Sequence, residues 1–186
     1  MTESKEQEQL KSVKQWVDQV VVGMNLCPFA KPVIKVDGLR YQLNSSANLD
    51  ELRGFFLQEL SLISQTTEQN VATSVLIIPN GLTDFYDYLD FLADCEALIA
   101  QAGLRNEFQL ASFHPRYVFA GVEESDVSHW TNRSPFPIIH IIREQQMTRV
   151  LENHPNPDSI PARNVDLFRS VGKDELERRF PHFRFD

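Results

Sequence analysis

The sequence predicts an α+β fold: a single-domain, two-layer sandwich with a ferredoxin-like β-α-β-α-β-β core and extra N- and C-terminal helices. Segments with apolar residues at steps of three and four, which indicate helices, alternate with short segments that indicate strands. Helices between strands favour a layer of helices packed on a sheet. The chain has 186 residues, which suits one domain with a core that needs no disulfides.

The N-terminal segment is predicted to contain one helix and one loop. Apolar residues spaced three and four apart predict a helix over about 8–23. The polar residues 1–9 are expected to form a disordered lead. The next segment, LCPFAKPV, has two prolines within five residues and therefore predicts a loop or a short turn.

Two longer helices are predicted from capping patterns. Asn48, followed three residues later by Glu51, predicts the start of a helix that runs to about residue 65. Thr83 is predicted to cap the next helix, and Gly103 is predicted to end it. Helices near the C-terminus are expected at 145–153, 161–171 and 174–180.

Strands are predicted at five places along the chain. Alternation of apolar and polar residues predicts half-buried strands at 39–44 and 107–113. A continuous β-branched run at 73–79 predicts a central strand buried on both faces. The remaining strands are expected at 117–121, where a short one would lie, and at 136–142. No internal repeat or linker divides the chain, so we expect one domain over 1–186.

Composition excludes some partners and suggests a compartment. The net charge is −8 at pH 7, and its acidic excess lies in residues 44–104. Because nucleic-acid binding requires a basic face, we expect no nucleic-acid partner. The longest apolar runs, such as VLII, are far shorter than the roughly 20 residues of a membrane span, so we expect no membrane partner. Two cysteines and a polar start, MTESKEQEQL, predict a cytoplasmic protein.

Three side chains are predicted to be catalytic groups. Cys27 precedes Pro28 after the first helix, and as the N-cap of a new turn its thiol would have a lowered pKa and act as a nucleophile. His140 lies among isoleucines in a predicted strand, where burial lowers the pKa of an imidazole that then serves as a neutral base. His114 follows a strand and precedes a proline, a position where functional residues collect.

The segment NRSPFP is predicted to be an anion-binding loop. Its two prolines limit the freedom of Asn132, Arg133 and Ser134 just before a buried strand. Arg133 can hold a carboxylate or phosphate with two parallel hydrogen bonds, and its two neighbours can add neutral ones. Arg116, in the segment FHPR, is expected to join the same site. The favoured function is therefore an enzyme or metabolite-binding protein for a small anionic compound.

Other interpretations of these residues stay open. Cys27 also fits a small buried apolar position, His140 a core histidine bonded to one backbone carbonyl, and Arg133 an ion pair with a nearby acid. One alternative function is a non-catalytic interaction module that uses the acidic segment 44–104. Another is a metal site formed by the cysteine and the two histidines, although their spacing matches no zinc pattern. No residue pattern specifies a cofactor or an oligomeric state.

Four segments of the chain together resemble a known family. They are LCPFAKPV, FHPRYVFAG, NRSPFPIIHIIRE and IPARN, and they resemble the bacterial family called domain of unknown function fourteen-fifteen. The resemblance extends from about Val13 to Gly172. It implies a bacterial cytosolic protein and carries over no catalytic residue, so the site predictions rest on residue chemistry.

Overall fold

The structure is a computed structural model that describes residues 4–152 and 155–180. It is a mixed α+β structure built on an open sheet of four strands. The strands are β1 (Leu39–Leu43), β2 (Thr73–Ile77), β3 (Phe108–Phe113) and β4 (Ile138–Arg143).

Helices precede, separate and follow these strands. The α-helices are α1 (Lys5–Trp16), α2 (Ala30–Lys35), α3 (Leu49–Gln65), α4 (Phe85–Gln101), α5 (Glu144–Glu152), α6 (Ile160–Val171) and α7 (Lys173–Arg179). A π-helical segment, Val17–Val22, continues α1, and short 3-10 helices occupy Val127–Asn132 and Pro157–Ser159. Every helix in the described part of the chain is too short or too polar to cross a membrane.

The strand order confirms the α+β class but not the ferredoxin-like topology. The order in the sheet is β1-β2-β4-β3. β1 and β2 are parallel neighbours, and β4 pairs antiparallel with both β2 and β3. A ferredoxin-like sheet is built from two split β-α-β units. Here β4 splits only the unit β2-α4-β3, whereas the strands on either side of α3 pair directly.

Helices cover both faces of the sheet, so the predicted two-layer arrangement is wrong. On one face, α3 and α4 form a core with residues such as Leu76, Ile139 and Ile141. On the other face, α1, α6 and α7 form a second core with Val75 and Ile138. All five residues of β2 are buried, which confirms the strand predicted to be buried on both faces. The terminal helices form this second layer because the sheet has two apolar faces.

The start of the chain differs locally from the predictions. The predicted disordered lead is helical from Lys5 onward, and residues 1–3 lie outside the described residues. Ser4 accepts a hydrogen bond from the backbone N–H of Gln7, whose side chain accepts one from the N–H of Ser4. This capping box explains the earlier start of α1. The segment LCPFAKPV includes the start of the short helix α2. The helix tolerates Pro32 because this residue lies in the first turn, where its missing N–H is not needed.

Two further differences concern α4 and the predicted strand at 117–121. Asp84, not Thr83, caps α4, and its carboxylate accepts hydrogen bonds from the N–H groups of Tyr86 and Asp87. Residues 117–121 form no strand: 117–119 are irregular, and 120–121 lie in a turn. In this segment the N–H of Tyr117 bonds to the carbonyl of His114, 3.1 Å away, which bends the chain away from the sheet.

Arg143, at the end of β4, joins the sheet to the C-terminus of α3. Its guanidinium donates hydrogen bonds of 2.6–3.2 Å to the carbonyl oxygens of Ile63, Thr66 and Val71. It also lies over the ring of Phe108, 5.5 Å from the centroid. The last carbonyls of a helix have no intrahelical partner, so Arg143 caps α3 from another element.

Replacing Arg143 with Met is expected to lower the free energy of unfolding by about 2–3 kcal/mol, because several carbonyls lose a charged donor. Arg143→Lys should recover only part of this loss, since an ammonium does not reproduce the planar fork. Urea unfolding measures both changes. The exposed Arg105, changed to Met, is the control. Equal stability of the two Met variants would contradict the capping role.

Candidate functional site

A cavity of about 340 Å³ lies on the sheet face opposite α3 and α4. Its floor consists of strand residues that alternate toward this face: Thr73, Val75, Ala111, Phe113, Ile138, His140 and Ile142. Trp16 of α1, the segment 26–30 and residues Gln146 and Met147 of α5 contribute to its walls. The volume falls within the range of small-molecule pockets.

His140 and Thr73 are the polar side chains on the floor of this cavity. His140 is the ionisable one. It stands opposite Val75 on one neighbouring strand and Ala111 on the other. Its Nε2 lies 2.6 Å from the Oγ1 of Thr73. Burial lowers the pKa of the imidazole to about 4, so the ring is neutral at physiological pH. The predicted direction of this pKa shift is confirmed.

Cys27 lines the same cavity and is partly buried. Burial raises the pKa of its thiol, and hydrogen bonds from the backbone N–H groups of Phe29 and Ala30 oppose that change only in part. The prediction of a lowered pKa is therefore wrong. Cys27 is also not the N-cap of a helix that begins at Pro28, because α2 begins at Ala30. A thiol with a raised pKa is a weak nucleophile at neutral pH.

His114 is completely buried and does not line the cavity. Its Nε2 lies 2.9 Å from the carbonyl oxygen of Leu82, and its Nδ1 accepts a hydrogen bond from the N–H of Arg116. Burial lowers its pKa. Leu82 has a positive φ of 55°, which is uncommon for a residue other than glycine. Both ring nitrogens are thus used to hold the backbone.

The predicted anion-binding loop lies between β3 and β4, and its side chains contact the protein itself. Asn132 donates to the carbonyl of Ser112 at 3.2 Å, and the buried Ser134 hydroxyl donates to the carbonyl of Phe136 at 2.6 Å. Arg133 donates to the carbonyl of Tyr117 at 3.4 Å.

The guanidinium of Arg133 also lies over the ring of Trp130, 5.6 Å from the centroid. Burial lowers the pKa of Arg133. Arg116 is exposed. None of the four predicted binding residues lines the cavity.

The structure therefore divides the predicted site residues into two groups. Cys27 and His140 share the cavity, although they are more than a hundred residues apart in sequence. His114 and the loop residues lie elsewhere and bond mainly to backbone groups. No group of three or more His, Cys, Asp or Glu side chains within residues 4–152 and 155–180 could hold a metal ion. The alternative of a metal site needs Cys27, His114 and His140 together, and His114 does not line the cavity that the other two share.

Sequence reasoning missed three polar side chains of the cavity, those of Trp16, Thr73 and Gln146. Trp16 lies on the apolar stripe of α1, is 3% exposed and lines the cavity, and its buried Nε1 has no hydrogen-bond partner in the described part of the chain. Gln146 of α5 also lines the cavity. A tryptophan on an otherwise aliphatic stripe was a usable signal, because a buried indole N–H normally requires an acceptor. Gln146 gave no such signal.

Several carboxylates of the acidic middle segment have structural roles. Asp84 caps α4, and Asp94 forms an ion pair with Arg53 at 2.7 Å. The buried Glu59 forms an ion pair with Arg40 at 2.8 Å. An interaction surface in this segment stays a prediction.

Fold and cavity together define the class: a mixed α+β protein with an apolar cavity on one face of a four-stranded sheet. A family model described as "Protein of unknown function (DUF1415)" matches residues 8–178. The chain therefore belongs to this family, which confirms the resemblance seen in the sequence. Neither the curated proteins nor the solved structures gave a match to the chain.

His140 is expected to make stability depend on pH. Its pKa is about 4 in the folded protein against an ordinary value of 6.5. Between these values the unfolded chain binds more protons, so stability is complete above the unfolded pKa and decreases as the pH falls toward the folded pKa. His140 contributes up to about 3 kcal/mol to this change in the free energy of unfolding.

Urea unfolding from about pH 7 to pH 4.5 tests this dependence. His140→Phe should show a shallower pH dependence than the wild type, while His114 contributes equally to both proteins. Identical slopes would contradict the effect of His140.

Cys27 is expected to react slowly with iodoacetamide. Because its pKa is raised, its alkylation at about pH 8 should be at least about tenfold slower than in the urea-unfolded chain. Mass spectrometry of the cysteine peptides distinguishes Cys27 from the fully buried Cys95, which should react more slowly still. A rate for Cys27 in the folded protein that equals the unfolded rate would show an activated thiol instead.

Proposed function

We propose that this protein binds a small, neutral, largely apolar organic molecule in the cavity above His140. The observation that carries the proposal is the composition of the lining. Apolar side chains form almost all of it, and a few polar groups, among them His140 and Cys27, interrupt it. Pockets of this kind take up a ligand through apolar contact and orient it with few hydrogen bonds.

The absence of charge among the lining residues supports a neutral ligand. No Lys, Arg, Asp or Glu occurs among the described residues that line the cavity. A carboxylate or phosphate buried there would lose its hydration without gaining a counter-ion, which is strongly unfavourable. An anionic ligand held by Asn132, Arg133 and Ser134 stays a separate prediction, because that loop does not line the cavity.

The states of Cys27 and His140 favour binding over covalent catalysis. A nucleophilic cysteine requires a lowered pKa or an adjacent base. Burial raises the pKa of Cys27, and a histidine with a pKa of about 4 is a weak base. We therefore propose that these two groups serve as contacts for a ligand.

Both cysteines are free thiols, which suits a reducing compartment, so we also propose a cytoplasmic location.

Filling the cavity tests the proposal. Ala111 lies on the floor beside His140, so Ala111→Phe places a ring in the space that a ligand would occupy. Naphthalene, 1-methoxynaphthalene and 1-naphthol serve as probes, and calorimetric titration measures their dissociation constants. Ala111→Phe should raise each constant by at least about tenfold, because apolar contact area is lost.

The matched control is Ala97→Phe, at an exposed position on α4. It should leave binding of all three probes unchanged. Absence of saturable binding of every probe to the wild type, or equal affinity in the two variants, would refute binding in this cavity.

A further inference from the structure

Thr73 determines which nitrogen of His140 carries the proton. Its Oγ1 lies 2.6 Å from the carbonyl oxygen of Ile141 and 2.6 Å from the Nε2 of His140. A carbonyl oxygen cannot donate, so the hydroxyl proton of Thr73 must lie between Oγ1 and that carbonyl. Oγ1 then accepts the remaining bond, and Nε2 of His140 is the donor.

The other nitrogen of His140 is consequently a hydrogen-bond acceptor. A neutral imidazole has one donor and one acceptor, so Nδ1 carries the lone pair. Nδ1 has no hydrogen-bond partner within residues 4–152 and 155–180, and the ring lines the cavity. A ligand group that pairs with Nδ1 must therefore donate a hydrogen bond. No carboxylate lines the cavity to stabilise an imidazolium, so the ring stays neutral.

Nδ1 of His140 is the group that a ligand in the cavity can reach. The indole ring of Trp16 lines the same cavity, but its Nε1 is buried and has no hydrogen-bond partner in the described part of the chain. An oxygen atom in the cavity therefore does not reach hydrogen-bond distance from Nε1 in this structure. The polar requirement on a ligand comes from Nδ1, and it is a requirement for a donor.

We infer that the ligand of this cavity is an alcohol or a phenol, whose hydroxyl donates to Nδ1 of His140. A hydroxyl is a small neutral group that donates a hydrogen bond and needs no counter-ion. An ether or ketone has no proton for Nδ1, and a carboxylate has neither a proton nor a counter-ion in the cavity. This inference rests on the proposed function and specifies the ligand class of the same site.

Probes that share one ring system separate the hydroxyl from its apolar body. They are 1-naphthol, 1-methoxynaphthalene, naphthalene and 1-naphthoate, titrated calorimetrically at about pH 7. The methyl ether is larger and more apolar than the alcohol, so burial alone favours the ether. We expect 1-naphthol to bind at least about fivefold more tightly than the ether, which corresponds to one net hydrogen bond. The naphthoate should bind most weakly.

Variants assign the hydrogen bond. In His140→Phe the advantage of 1-naphthol over the ether should disappear, while unchanged naphthalene binding shows that the cavity is intact. Trp130→Phe is the control and should keep the advantage of 1-naphthol, because Trp130 is a buried aromatic residue that does not line the cavity.

The order of affinities in the wild type decides the inference. Binding of 1-methoxynaphthalene as tight as that of 1-naphthol would overturn the hydroxyl inference, and so would tighter binding of 1-naphthoate. In either case, probe binding that Ala111→Phe abolishes would still support the proposed function. A failure of all probes to bind would remove both.

Discussion

The need to cover both faces of the sheet governs this structure. The two central strands, β2 and β4, have apolar side chains on each side, with Val75 and Ile138 on one face and Leu76 and Ile139 on the other. One layer of helices leaves half of this surface in water, at about 25 cal/mol for each Å². The helices α3 and α4 cover the face of Leu76 and Ile139. Segments from the two ends of the chain cover the face of Val75 and Ile138, and the cavity lies between those segments and the sheet.

Local patterns in the sequence predicted most elements because their causes are local. The periodicity that places Phe56 and Tyr88 on buried helix faces and Val75 in a buried strand is visible within a few residues. The order of strands, the parallel pairing of β1 and β2 and the second layer depend on contacts between distant segments. No short pattern contains that information. The helix α2 was missed because Pro28 and Pro32 in this segment favour a loop, although the first turn of a helix tolerates Pro32.

The predictions for the site residues show the same contrast between local patterns and contacts of distant segments. Strand periodicity placed His140 on the face that forms the cavity floor, and burial among isoleucines gave the correct direction of its pKa. For Cys27 the neighbouring proline suggested an exposed helix start, but segments distant in sequence bury the thiol. His129 lies in the polar stretch SHWTN and yet is fully buried, where its Nδ1 accepts from the N–H of Phe119. The backbone groups that bond to a buried histidine of this kind lie in other loops, so local composition does not predict them.

The hydrogen bond between His114 and Leu82 links two elements at one end of the sheet. Leu82 has a left-handed backbone conformation in the loop that leads into α4. The imidazole of His114, which is 32 residues away and just after β3, bonds to the carbonyl oxygen of Leu82. Such a conformation typically persists only when its surroundings enforce it. This hydrogen bond therefore couples the start of α4 to the end of β3, so a displacement of one element would move the other.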